Sequence, residues 1–138
     1  MLPDILNQYI EDVESAVRIL DDVYIERYEV EILTFERVNL RIRIRFVRGH
    51  LFELNEAIIA KNESMTHLGY RYHFQDDQNK LLFRYDNTPH YPKLDSFPHH
   101  KHLADKVISS KRPSPRNAIL FLQNRRDDRL KENGAQNR

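Results

Sequence analysis

From residue 38 to residue 46 the chain alternates apolar and polar side chains, with Val38, Leu40, Ile42, Ile44 and Phe46 set against Asn39, Arg41, Arg43 and Arg45. A period of two puts the five apolar groups on one face of a strand and three arginines on the other. Arg48-Gly49-His50 then supplies a turn and LFELNEAIIAKN a further strand, so 38–62 reads as a hairpin. Upstream, YIERYEVEILTF is rich in β-branched and aromatic residues and reads as a first strand. Downstream, MTHLGYRYHFQD sets Leu68, Tyr70, Tyr72 and Phe74 against His67, Arg71, His73 and Gln75. The turn-forming DDQNK leads into LLFRYD, a fifth strand. The stretch 27–86 is therefore expected to be an antiparallel meander.

A different period precedes it. Leu2, Leu6, Tyr9, Val13, Val17 and Leu20 recur every three or four residues, which predicts an amphipathic helix with Pro3 in its first turn. After Asp86 regularity stops, and NTPHYPKLDSFPHHKH, with three prolines and four histidines, predicts a rigid loop. Ser114 as N-cap and Pro115 at the first position open a last helix carrying Ala118, Ile119, Phe121 and Leu122. The expected fold class is α+β: an N-terminal helix, a five-stranded antiparallel meander, a His-rich loop and a C-terminal helix. Residues 1–126 form a single domain in this reading, and the polar stretch 127–138 a frayed tail.

Composition narrows the chemistry. No cysteine occurs, which removes thiolate nucleophiles and cysteine-ligated zinc, and 3 glycines leave no phosphate-cradling loop. No serine lies in a nucleophile-elbow context. The amino-terminal stretch has neither a basic start nor an unbroken apolar run, so no signal peptide, membrane span or membrane partner is expected and a cytoplasmic location is. A net charge of +1 conceals an acidic first helix and a basic last third.

Five of the 7 histidines, His73, His90, His99, His100 and His102, fall within thirty residues. Imidazole exchanges protons near neutral pH and ligates metals when neutral, so this crowding favours a site over a solvated basic stretch. His73 shares a strand face with Arg71, and a hairpin partner brings Arg84 or Asp86 across from it, within reach of a proton-transfer or phosphate site. The bland reading is a strand histidine satisfied by a carbonyl. Arg41, Arg43 and Arg45, with Lys101, are candidate nucleic-acid contacts, although Glu29, Glu31 and Glu53 offer ion pairs that would absorb the stripe. A metal site at His99, His100 and His102 is the rival reading; adjacent histidines diverge in an extended chain, and no metal or other cofactor is expected.

The run GYRYHFQDDQNKLLFRYDNTPHYP followed by SFPHHKH resembles the TumE family, small toxins of prokaryotic toxin-antitoxin pairs. The resemblance rests on Tyr70, Tyr72, His73, Phe74 and Gln75, then Arg84, Tyr85, Asp86, Asn87, Pro89 and His90, then Phe97 to His102. Tyr91 and Phe74 depart from the family's frequent histidine and tryptophan. The resemblance implies a toxin neutralised by a cognate antitoxin, often a helix-turn-helix protein, and carries no residue roles. Combined with the histidine cluster, it leads to the expectation of a metal-independent ribonuclease. His73, His100 and His102 serve as acid and base, Arg71, Arg84 and Lys101 hold the phosphate, and Asp86 orients an imidazole. A non-catalytic RNA- or protein-binding module is the alternative, as is a metal-dependent hydrolase or nucleotidyl-modifying enzyme; a homodimer is left open.

Overall fold

The alternating 38–46 segment forms the middle of β2 (Arg37–Phe46), in which every second residue is buried. In the computed structural model, residues 2–123 are described, and the expectation of a frayed tail over 127–138 lies outside them. The remaining elements are α1 (Asp4–Ile19), β1 (Val23–Thr34), β3 (Leu51–Lys61), β4 (Ser64–Gln75), β5 (Leu81–Asp86), β6 (His100–His102) and β7 (Val107–Ser109). A second helix, α2, runs through residues 115–123. It opens as its sequence predicts: the Asn117 amide donates to Ser114 Oγ at 3.1 Å.

All seven strands belong to one antiparallel sheet in the order β1 to β7, each paired with its neighbours in sequence. The class is the expected α+β, and the described residues hold seven strands instead of five. The two additional strands are β6, at the end of the His-rich segment, and β7, just beyond it. The segment's prolines end at Pro98, and the chain beyond, free to donate, pairs with the open edge of β5 (Tyr85 opposite Lys101, Asp86 opposite His100). So the segment is a loop only as far as His99.

Both helices cover one face of the sheet. Leu6, Val13, Ala16 and Val17 of α1, Ala118, Ile119 and Leu122 of α2, and the apolar face of β2, β3 and β4 form one buried cluster. Tyr24 and Ile32 of β1, and Phe35 in the turn after it, stay exposed. On the opposite face, the β2 arginines are ion-paired: Arg41 with Glu29 at 3.1 Å, Arg43 with Glu26 at 2.8 Å and Glu53 at 3.0 Å, and Arg45 with Glu26 at 3.2 Å.

Simple alternation is interrupted at several register shifts, and one of them relocates a histidine. The register of β3 with β4 shifts between Ala57 and Ile58, so that Ala57 pairs with Gly69 and Ile58 with His67 while Leu68 bulges between them. Leu68 is exposed, and His67 turns toward the helix side, where its Nε2 lies 2.7 Å from a Glu56 oxygen. Strict alternation had placed these two the other way round.

Candidate active site

Pairing aligns two rows of polar residues across the face that the helices leave open. One row is Glu53, His73, Arg84 and His102; the next is Asn55, Arg71, Asp86, His100 and Ser109. Three successive strands, β4, β5 and β6, thus bring His73, Arg71, Arg84, Asp86, His100 and His102 to one surface, because residues two apart on a strand share a face.

His73 is half-buried. Its Nε2 is 2.9 Å from Gln75 Oε1, and its buried Nδ1 has no hydrogen-bond partner. Burial pushes its pKa down, the Gln75 contact opposes this, and Arg71 and Arg84 add to the depression. A neutral imidazole with one nitrogen uncommitted is suited to accepting a proton.

Across β5, Arg84 Nε lies 3.3 Å from Asp86 Oδ2, and the rest of the Asp86 carboxylate is held from β6 and from the loop. Asp86 Oδ1 accepts from the Thr88 amide at 3.1 Å and lies 2.8 Å from His100 Nε2, while Oδ2 lies 3.2 Å from His102 Nε2. The two Nε2 atoms are 3.1 Å apart. His100 is essentially inaccessible, at 1% exposure, and its Nδ1 sits 2.9 Å from the Pro98 carbonyl. Tyr91 packs edge-on against both imidazoles, with ring centroids 4.9 and 5.8 Å away. Burial first, and then Arg84, lower the His102 pKa against the pull of Asp86.

Two residues grouped with this site by sequence lie elsewhere. Lys101 points to the helix side, its ammonium 4.8 Å from the Tyr85 ring centroid and 5.5 Å from that of Phe83, because it alternates with His100 and His102. His99 stacks on Tyr70 and places Nδ1 2.9 Å from the Tyr70 hydroxyl, whose pKa is pushed up to about 12 mainly by burial. The structure therefore does not bring His99 together with His100 and His102.

A second polar centre lies among the core residues, and the sequence reading missed it. The buried Glu56 carboxylate accepts from the Tyr9 hydroxyl at 2.7 Å and the Tyr72 hydroxyl at 2.6 Å, with His67 alongside and Arg112 3.8 Å away. Arg112 also donates to Tyr72 and lines an open cleft of about 640 Å³ with Asp95, Ser96, His99, Ser109, Ser110 and Lys111. Desolvation, reinforced by the Glu56 charge, raises both tyrosine pKa values far above the ordinary range. The available signal was Glu56 itself, a carboxylate standing between Leu54 and Ile58 on the apolar face of its strand.

No described helix is long and apolar enough to cross a membrane. The family model described as Toxin TumE matches residues 9–128, most of the chain and all of the rows above. No curated protein and no solved structure matches it.

Proposed function

Because the chain belongs to the TumE toxin family, and is therefore the toxin of a toxin–antitoxin system with a cognate antitoxin as partner, we propose that it acts in the cytoplasm as an endoribonuclease using the open face of β4, β5 and β6. The observation carrying this reading is the row His73, Arg84, His102, one residue from each of three successive strands. Strands lie ~4.8 Å apart, so the two imidazoles stand roughly 10 Å apart at the backbone with a guanidinium between them. Cleavage of RNA through its own 2′-hydroxyl needs that arrangement: a base beside the nucleophile, positive charge at the phosphorus, and a proton source beside the leaving oxygen.

In this mechanism His73 takes the 2′-hydroxyl proton and the 2′-oxygen attacks phosphorus. The bond to the 5′-oxygen breaks, and that oxygen receives a proton from the centre built around Asp86, His100 and His102. The products are a 2′,3′-cyclic phosphate and a 5′-hydroxyl. Arg84 has the fixed planar fork of donors that a phosphate accepts, and Arg71 flanks it.

The test is cleavage of RNA by the purified toxin, compared with the same oligonucleotide carrying a single 2′-deoxy nucleotide at the cleaved step. Loss of cutting at the deoxy position and with His73→Ala is expected, with the thermal unfolding of the variant recorded beside its rate. Cutting at the deoxy position, or a folded His73→Ala protein with the parent rate, sinks the mechanism.

A further inference from the structure

Asp86, His100 and His102 are arranged as ligands. Their side-chain donor atoms all lie within 4.8 Å of one another, and the closest approaches are 2.8, 3.1 and 3.2 Å. A tetrahedral ion with bonds of about 2.0–2.1 Å holds its ligands roughly 3.3 Å apart; the two His100 contacts, 2.8 Å to Asp86 Oδ1 and 3.1 Å to His102 Nε2, would open by about half an ångström or less, while the 3.2 Å contact of His102 is to the other carboxylate oxygen, Oδ2.

The tautomer of His100 points the same way. The Pro98 carbonyl can only accept, so the Nδ1 beside it carries the hydrogen, and in the neutral ring Nε2 bears a lone pair. That lone pair is aimed at a carboxylate oxygen and at the Nε2 of a second imidazole, where either a hydrogen on His102 Nε2 or a cation at the centre would meet it. A ring nitrogen donating to a backbone carbonyl while the other faces the centre is the usual support of a ligating histidine. The carboxylate is steadied by the Thr88 amide, and Tyr91 braces both rings, so the set is held in place before anything binds. Arg84 approaches Oδ2, which leaves Oδ1 for the ion.

We infer that Asp86, His100 and His102 form a three-ligand site for a divalent first-row transition ion of the zinc class, with a coordination position left for water. Two imidazoles and one carboxylate suit zinc and its neighbours and disfavour magnesium, a hard ion that prefers oxygen ligands. The sequence reading weighed a metal site only as His99, His100 and His102; here His99 turns away and the third ligand, Asp86, comes from another strand. The use of the ion in catalysis rests on the ribonuclease reading; its binding does not. In that reaction the bound water is the proton source for the leaving oxygen, leaving His73 as the base.

The experiment is titration of the full-length protein, produced without a histidine tag and stripped with chelator, with zinc chloride by calorimetry, with elemental analysis of the dialysed product. One zinc per chain is expected, displaced poorly by magnesium. Asp86→Asn and His102→Ala should each weaken binding by at least about a hundredfold, at the upper end of or beyond what loss of a supporting residue costs. Absence of stoichiometric zinc on a stripped protein that still melts cooperatively overturns the site, as does unchanged affinity in both folded variants. RNA cleavage followed in the same samples separates the two claims. Stoichiometric zinc without cleavage keeps the site and sinks the ribonuclease, whereas full-rate cleavage by a protein that binds no zinc does the reverse.

Discussion

The Tyr9 hydroxyl lies 2.7 Å from both oxygens of Glu56, joining α1 to β3 across 47 residues of sequence inside the core. A hydrogen bond to a buried charge contributes more than a neutral one, and its loss leaves the carboxylate short of a donor. Tyr9→Phe is expected to cost about 1.5–3 kcal/mol, read from the midpoint of urea unfolding. A cost below roughly 0.5 kcal/mol would mean that Tyr72 and His67 already satisfy Glu56 without it.

His73 makes stability depend on pH. Its folded pKa is depressed below the unfolded value near 6.5, so the unfolded chain binds the proton more readily. Stability is therefore complete above pH 6.5 and falls as the pH drops from there through the folded pKa, a trend to which His102 adds in the same direction. Thermal midpoints measured between pH 5 and 7 should rise with pH, and His73→Gln should flatten the slope. An unchanged slope in the variant assigns the effect elsewhere.

The arginines of β2 and β5 should behave differently in a growth-inhibition assay. Arg41 is already engaged by Glu29 and Glu31, whereas Arg84 sits between His73 and His102. Arg84→Gln is expected to relieve toxicity and Arg41→Gln to leave it intact at equal expression. Relief by Arg41→Gln would restore the β2 stripe as an RNA contact.

Two substitutions test the frame alone. Ser114→Ala removes the oxygen that caps α2 and should cost ~1 kcal/mol. Leu54→Ala empties a fully buried position in the main cluster and should cost about 2–5 kcal/mol. Calorimetric melting of each variant provides the comparison.

The long strands were legible because one face is buried, and a buried face imposes a period of two over ten or more residues, as in β2 and β3. Strands β6 and β7 carry three residues each, too few to show a period, and exist because β5 offers an edge to β6 and β6 in turn one to β7. Local pattern likewise identified His73, Arg84 and His102 as candidates without showing that they share a row. That row depends on the register of β4, β5 and β6, which is a property of the sheet and not of any one segment. The bulge at Leu68 reverses the alternation behind it, which is why His67 was assigned to the wrong side and the Glu56 centre escaped notice.

The neighbour-to-neighbour order of the strands also bears on the chain as it is being made. Every strand docks on the one synthesised just before it, so the sheet can grow outward from its N-terminal end with little delay from loop closure. His100 and His102 join on the sixth of seven strands, after the large β1 to β4 surface is available to receive them. A chain interrupted before residue 100 carries His73 and Arg84 on an edge with no counterpart. On the ribonuclease reading proposed above, harmful competence is deferred to the last stages of synthesis, and truncated products of the toxin gene are expected to be harmless to the cell that makes them.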